Sequence, residues 1–143
     1  MKLDDLVNTA KTLAVERWGT QGWAGAAALK LASGRILSSV FVRTPNETAN
    51  LCHETGAICE AHKLNEKVVA CVCVTRETGA EDFIILAPCG ICQERLAFWG
   101  PDLEVAVPRL EAPTTWEVKR LSELQPHYWG KVYKEVRMTN GWL

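Results

Sequence analysis

The sequence predicts a layered α/β domain on a mixed sheet, with an antiparallel pair at one edge and right-handed crossovers in the rest. Three observations predict it. An amphipathic helix and then a hairpin open the chain, helical and strand segments alternate after them, and the later strands are apolar runs of the kind buried between two layers.

Leu3, Leu6, Val7, Ala10, Leu13, Ala14 and Trp18 recur at helical spacing, and Gly19 and Gly22 end that helix. "WAGAAALKLASGRILSSVFVR" then reads as two strands about a turn at Ser33 and Gly34. The polar loop "TPNETAN" leads into a helix from about Leu51 to Lys63. "KVVACVCVTR", rich in β-branched and small residues, is a buried strand, "ETGAED" a turn, and "DFIILA" a second buried strand that Pro88 stops. The helix "CGICQERLAFW" ends at Gly100, "LEVAVP" is a further strand, and "VKRLSELQP" is a short helix that Pro126 ends. The tail "HYWGKVYKEVRMTNGWL" has no assignable period. Helices that follow strands place their N-termini along one sheet edge, where sites in such folds gather.

The 143 residues suit a single domain spanning 1–143, with no repeat, low-complexity tract or linker. Apolar residues make up 48% and charged residues 23%, ordinary values for a globular protein with a real core. With 16 basic and 17 acidic residues the net charge is -1 and no basic stripe stands out, so a nucleic-acid polymer is not an expected partner. No apolar run is long enough to span a bilayer, so no membrane partner is expected either. The stretch "MKLDDLVNTAKTLAVERWG" is helical in period and carries Asp4, Asp5 and Glu16, unlike a signal peptide, which points to the cytoplasm. There six cysteines stay reduced, and metal binding or catalysis is a better use for them than disulfides.

Two stretches concentrate the chemistry. "NLCHETGAICEA" puts Cys52, His53 and Glu54 side by side at a helix start, and "APCGICQER" puts Cys89 and Cys92 at another. Free N–H groups and the positive dipole end of a helix stabilise thiolates. If the two helices lie side by side, three thiolates converge; three protein ligands leave a zinc ion a fourth position for water, and Glu54 reaches that water as general acid/base. Other readings stand beside this one: a structural zinc site with a fourth ligand from Cys59, His53 or His62, a dithiol redox motif, or core thiols. Cys71 and Cys73 alternate with valines and read as small core residues.

The "CHE" and "PCGIC" pair resembles the [HC]-x-E … P-C-x-x-C signature of zinc deaminases. The chain is similar, from about Trp23 to Trp129, to short three-cysteine members of the cytidine deaminase family, which includes the blasticidin S deaminases. "WAGAAALKLASGRI" is similar to the family's F-x-V-G-A-A-L strand and glycine turn, "PCGICQERL" to its P-C-G-x-C-R-Q-x-L, and "LSELQPHYWG" to its L-x-x-L-L-P-x-x-F-G. The resemblance implies a three-layer α/β/α fold with a mixed five-stranded sheet. It also implies a zinc-dependent hydrolase that converts a cytosine-type aminopyrimidine, plain or in a modified or antibiotic nucleoside, to the uracil-type product with release of ammonia. Zn2+ would be held by Cys52, Cys89 and Cys92, and Glu54 would move the protons. A non-catalytic structural zinc-binding module of the same fold is the alternative.

The departures from the family concern the substrate. Common members carry Arg directly after the catalytic Glu and after the last zinc Cys, where it relieves thiolate charge; this chain has Thr55 and Gln93. His53 either shares that task or has no special role. The family's ribose-binding N-x-E falls on Phe41, Val42 and Arg43, which makes plain cytidine doubtful as the best substrate. Arg43 either grips an acidic group by its planar fork or is a solvated arginine, while Asn46 and Glu47 are alternative sugar ligands. Trp23 stands where the family has a Phe near the base, to stack on the pyrimidine or to fill core. His127, Tyr128 and Trp129 lie where a family aromatic reaches a neighbouring subunit's site, which implies a homotetramer or a dimer.

Overall fold

The computed structural model describes residues 1–142. Helix α1 (Asp4–Trp18) precedes strands β1 (Ala24–Leu31) and β2 (Ile36–Val40). A 3-10 turn (Glu47–Ala49) leads to α2 (Thr55–Leu64), followed by β3 (Val68–Arg76) and β4 (Ile84–Leu86). Then come α3 (Gly90–Leu96), β5 (Glu104–Arg109), β6 (Ala112–Arg120), the single turn α4 (Leu121–Leu124) and α5 (Lys134–Asn140).

The sheet order is β2-β1-β3-β5-β6, five positions across, and a sixth short strand, β4, pairs with β3. β1 is antiparallel to both β2 and β3, so β2 and β3, joined through α2, run parallel across it. β5 pairs parallel with β3 at Ala70 and Cys71, while β4 takes the other end of the same edge, antiparallel, at Cys73 to Thr75. Gly34 turns the first hairpin at φ 91°, a region that suits glycine.

Strand alternation divides the core in two. Ala24, Ala26 and Ala28 of β1 and Val72 and Val74 of β3 face Leu6, Val7, Ala10 and Ala14 of α1. Leu29, Cys71 and Val105 face the other way, toward Ala57, Ile58 and Ala61 of α2 and Leu96 of α3. The domain thus has three layers, with α2 and α3 on one side of the sheet and α1 on the other.

Three segments differ from the sequence expectation. β6 covers the stretch expected to begin a helix at Val118: its residues pair antiparallel with β5 from Glu104↔Arg120 to Arg109↔Ala112, and only Leu121–Leu124 is helical. The turn between them, Leu110 and Glu111, carries no glycine or asparagine to announce a hairpin. α2 begins at Thr55, leaving Leu51 to Glu54 as a shaped entry segment. The tail folds as a 3-10 turn (Trp129–Val132) and α5, and Trp142 is buried with its Nε1 donating to the Ala97 carbonyl at 2.9 Å. Among the described residues no helix is long and apolar enough to cross a membrane.

Candidate active site

The entry to α2 is fixed from both sides. Val42 and Leu51 exchange backbone hydrogen bonds at 3.1 and 3.0 Å, which lays the end of the hairpin along the segment before Cys52. Ser39 on β2 donates to the His53 carbonyl at 2.5 Å and accepts the Ala57 N–H at 3.0 Å. Thr55 N–H donates to the Cys52 carbonyl at 3.0 Å, so Cys52, His53 and Glu54 form the turn that feeds the helix, with Glu54 at the N-cap. The second segment is equally short. Pro88 stops β4, Cys89 is the N-cap of α3, and Cys92 lies in its first turn. Gln93 Nε2 donates to the Pro88 carbonyl at 2.8 Å, so Gln93 closes the loop.

The Sγ atoms of Cys52, Cys89 and Cys92 lie within 4.8 Å of one another, and Cys52 and Cys89 are 3.3 Å apart. Tetrahedral zinc–thiolate bonds of about 2.3 Å set sulfurs about 3.8 Å apart, so the donor set fits zinc. Cys92 is buried, Cys52 half-buried and Cys89 exposed, which leaves one side of the triad open. Neither Cys59, which is exposed, nor His62, which packs 4.7 Å from both Phe98 and Trp99, belongs to a metal-capable group among the described residues.

Burial pushes the Cys52 thiol up, and burial with the Glu54 carboxylate pushes Cys92 up further. Burial also acts on Cys89, but the backbone N–H of Cys92, the Cys52 thiol and the N–H of Ile91 outweigh it and hold Cys89 below its ordinary value. A divalent ion would reverse the first two shifts by drawing off the thiol protons.

Glu54 is 3% exposed, and burial raises its carboxyl above the ordinary carboxylate range, opposed by its own backbone, the Cys92 thiol and the Arg95 guanidinium. A carboxylate oxygen of Glu54, a ring nitrogen of His53 and Cys73 Sγ form a second cluster within 4.8 Å. Cys73 pairs with Ala27 across the strands, and Ala27 and Gly25 are the small residues of β1 on this face. They leave room for the acid and the imidazole. Burial lowers the His53 pKa, which favours the uncharged ring.

Trp23, Phe41 and His53 meet as three rings, with centroids 5.7 to 6.1 Å apart. Arg43 is exposed on the segment just beyond. Tyr128 stands apart from this wall. Its hydroxyl and Trp129 Nε1 donate to the two carboxylate oxygens of Glu94 at 3.1 and 2.9 Å, on the outer side of α3, and burial and Glu94 push the Tyr128 phenol up to about 12.

Arg95 was not anticipated from the sequence. Its Nη1 donates to Thr55 Oγ1 at 2.8 Å and approaches Cys92 Sγ at 4.0 Å, so a guanidinium held by α2 faces the thiol set. Its place three residues after Cys92, on the same helical face, was a signal for it.

No family model and no curated protein matches the chain. Solved structures do. The chain is similar to the cytidine deaminase from Bacillus anthracis, with 38% identity over 96% of each chain and a TM-score of 0.86. It also resembles the cytidine deaminase from Mycobacterium tuberculosis, at 23% identity over 91% of this chain and 98% of that one, with a TM-score of 0.66. The corresponding values for the cytidine deaminase from Burkholderia pseudomallei are 22%, 89%, 98% and 0.67.

Proposed function

Since the chain belongs to the cytidine deaminase family, we propose that it is a zinc-dependent hydrolytic deaminase that converts a cytosine-type aminopyrimidine to the uracil-type product and ammonia. The observation that carries this reading is the buried Glu54 carboxyl beside three convergent thiols. Cys52, Cys89 and Cys92 would hold the ion. When bound, zinc supplies Lewis acidity that brings the pKa of water down to about 7.

The remaining chemistry belongs to the protein. Glu54 accepts a proton from the attacking water and returns protons to the ring nitrogen and the departing amine. A carbon–oxygen bond forms, the exocyclic carbon–nitrogen bond breaks, and water's oxygen ends as the carbonyl. A carboxyl raised by burial suits both halves of this task, because acceptor and donor strengths are then closer to balance at neutral pH. Arg95 offsets part of the surplus negative charge of three thiolates on a divalent ion.

The runner-up is a structural zinc module without turnover. A structural site has no use for a buried carboxyl beside its ligands, and this favours the enzyme. The proposed substrate is a cytosine-type base in either a plain nucleoside or a modified or antibiotic one. The reading includes a cytoplasmic location and a homotetramer or dimer, with small molecules rather than a nucleic-acid polymer or a membrane as partner. The exposed apolar side chains Ile91 on α3 and Trp129 and Val132 in the tail support an assembly. The test is ammonia release by the zinc-loaded protein on cytidine, deoxycytidine, cytosine, CMP and blasticidin S, with Glu54→Gln as control.

A further inference from the structure

We infer that Arg76 is a positioning residue of the site: it fixes the loop between α1 and β1, so that Trp23 is held against His53. Its effect on substrate binding rests on the deaminase reading above; the link from Arg76 to Trp23 does not.

Arg76 is the last residue of β3 and is 7% exposed. Its register partner is Ala24, the first residue of β1. Strand alternation turns its side chain to the α1 side of the sheet, with Val72 and Val74. There its Nε donates to the Gly22 carbonyl at 3.3 Å and its Nη2 donates to the Gly19 carbonyl. Its guanidinium carbon lies 4.8 Å from the centre of the Phe83 ring. A buried charge is costly unless it is met. Among the described residues this one is met by carbonyl oxygens and a ring face rather than by a carboxylate. Gly19 is the C-cap of α1, and the negative end of that helix suits a cation. One planar group thus holds both ends of the Gly19–Gly22 loop.

The same loop is held a second time. The Gly79 N–H donates to the Gln21 carbonyl at 2.8 Å, and a Cβ at Gly79 would fall 2.0 Å from the Thr20 carbonyl oxygen. The turn after β3 therefore meets the loop backbone to backbone. Trp23 follows Gly22 directly, so the position of the loop is passed along the chain to its ring. That ring lies edge-on to Trp18 at 5.0 Å, and Trp18 Nε1 donates to the Gly25 carbonyl at 2.9 Å. It also meets His53 at 5.7 Å, and His53 stands between Cys52 and Glu54. A loop with glycine at both ends does not hold its own shape. Without Arg76, Trp23 loses the anchor on the side away from the site.

The test uses zinc-loaded wild type, Arg76→Met, Arg76→Lys, Gly79→Ala, Trp23→Ala and the double variant of Arg76→Met with Trp23→Ala. Kinetics are measured on whichever of cytidine, deoxycytidine, cytosine, CMP and blasticidin S wild type turns over fastest. The inference expects Arg76→Met to raise KM at least fivefold with kcat within twofold, since a displaced binding surface weakens ground state and transition state alike. Arg76→Lys recovers part of the loss, because it keeps the charge without the fork. Gly79→Ala moves KM in the same direction while keeping Arg76. In the Trp23→Ala background Arg76→Met has little further effect, as expected of coupled residues. Near-ultraviolet circular dichroism reads Trp23 without turnover: the signal that Trp23→Ala removes is also lost in Arg76→Met. An unchanged KM in Arg76→Met, with or without a lowered Tm, overturns the inference. So do effects of Arg76→Met and Trp23→Ala that multiply independently, or a Trp23 signal that survives Arg76→Met. If Arg76→Met does not fold, Gly79→Ala and Arg76→Lys carry the same comparisons. Failure of wild type to release ammonia from any compound removes the deaminase reading, and the dichroism then decides the link from Arg76 to Trp23 separately.

Discussion

At the scale of single residues, Glu54 and Arg95 answer opposite problems. Glu54 is an acid taken out of water, and burial holds its proton more tightly than usual. Arg95 is a cation brought toward thiols whose charge exceeds that of the ion they are expected to hold. The Thr55 hydroxyl fixes where that cation points. Replacing Arg95 with Gln keeps much of the side chain's bulk and removes the charge. We expect kcat to fall about tenfold, which corresponds to about 1.4 kcal/mol of barrier, with KM little changed and zinc still at one per chain by metal analysis. Arg95→Lys should recover part of the loss, since it restores the charge without the planar fork. A variant that loses zinc and activity together would instead give Arg95 a purely structural role.

At the scale of elements, the site depends on short connections, and the tail closes the layer that carries them. Trp142 packs 4.3 Å from Tyr128 and belongs to the cluster that holds Leu96 of α3. Trp142→Ala should cost about 3–5 kcal/mol of stability, the usual range for emptying a large aromatic site, read as a lowered denaturation midpoint. An unchanged midpoint would mean that the tail does not dock. Sequence periodicity captures α1, α2 and α3 because each buries one stripe and stops at a glycine or an asparagine: Gly19, Asn65, and Gly100 after the 3-10 turn Ala97–Trp99 that continues α3. It fails at β6, where pairing with β5 rather than local preference makes the strand and no turn residue marks the hairpin. It fails at the tail too, because Trp142 is fixed by distant partners. The cysteine triad and Glu54 were legible as two local motifs with fixed spacing. The ring wall was only partly so: Trp23, Phe41 and His53 could each be named, but their meeting depends on Gly25 lying under His53, a relation across strands that spacing along the chain does not express.

At the scale of the whole molecule, the triad joins two parts of the fold that are otherwise held by packing and by the Arg95–Thr55 hydrogen bond. Cys52 comes from the entry to α2, and Cys89 and Cys92 from α3, so an ion there would tie the two site helices together. A ligand that binds the folded chain alone stabilises it by mass action, about 2.7 kcal/mol at a hundred times its dissociation constant. Stripping zinc with a chelator should therefore lower Tm by roughly 5 °C or more, and added zinc should restore it. A Tm indifferent to the metal would contradict the triad as a resident zinc site. The most direct measurement remains ammonia release from the aminopyrimidine panel by the zinc-loaded protein, with Glu54→Gln beside it. The account predicts turnover of at least one member and a loss of at least about 100-fold in the variant, the lower end for removing a general acid/base, with zinc retained. Equal turnover by both proteins, or none by wild type with zinc bound, would contradict it.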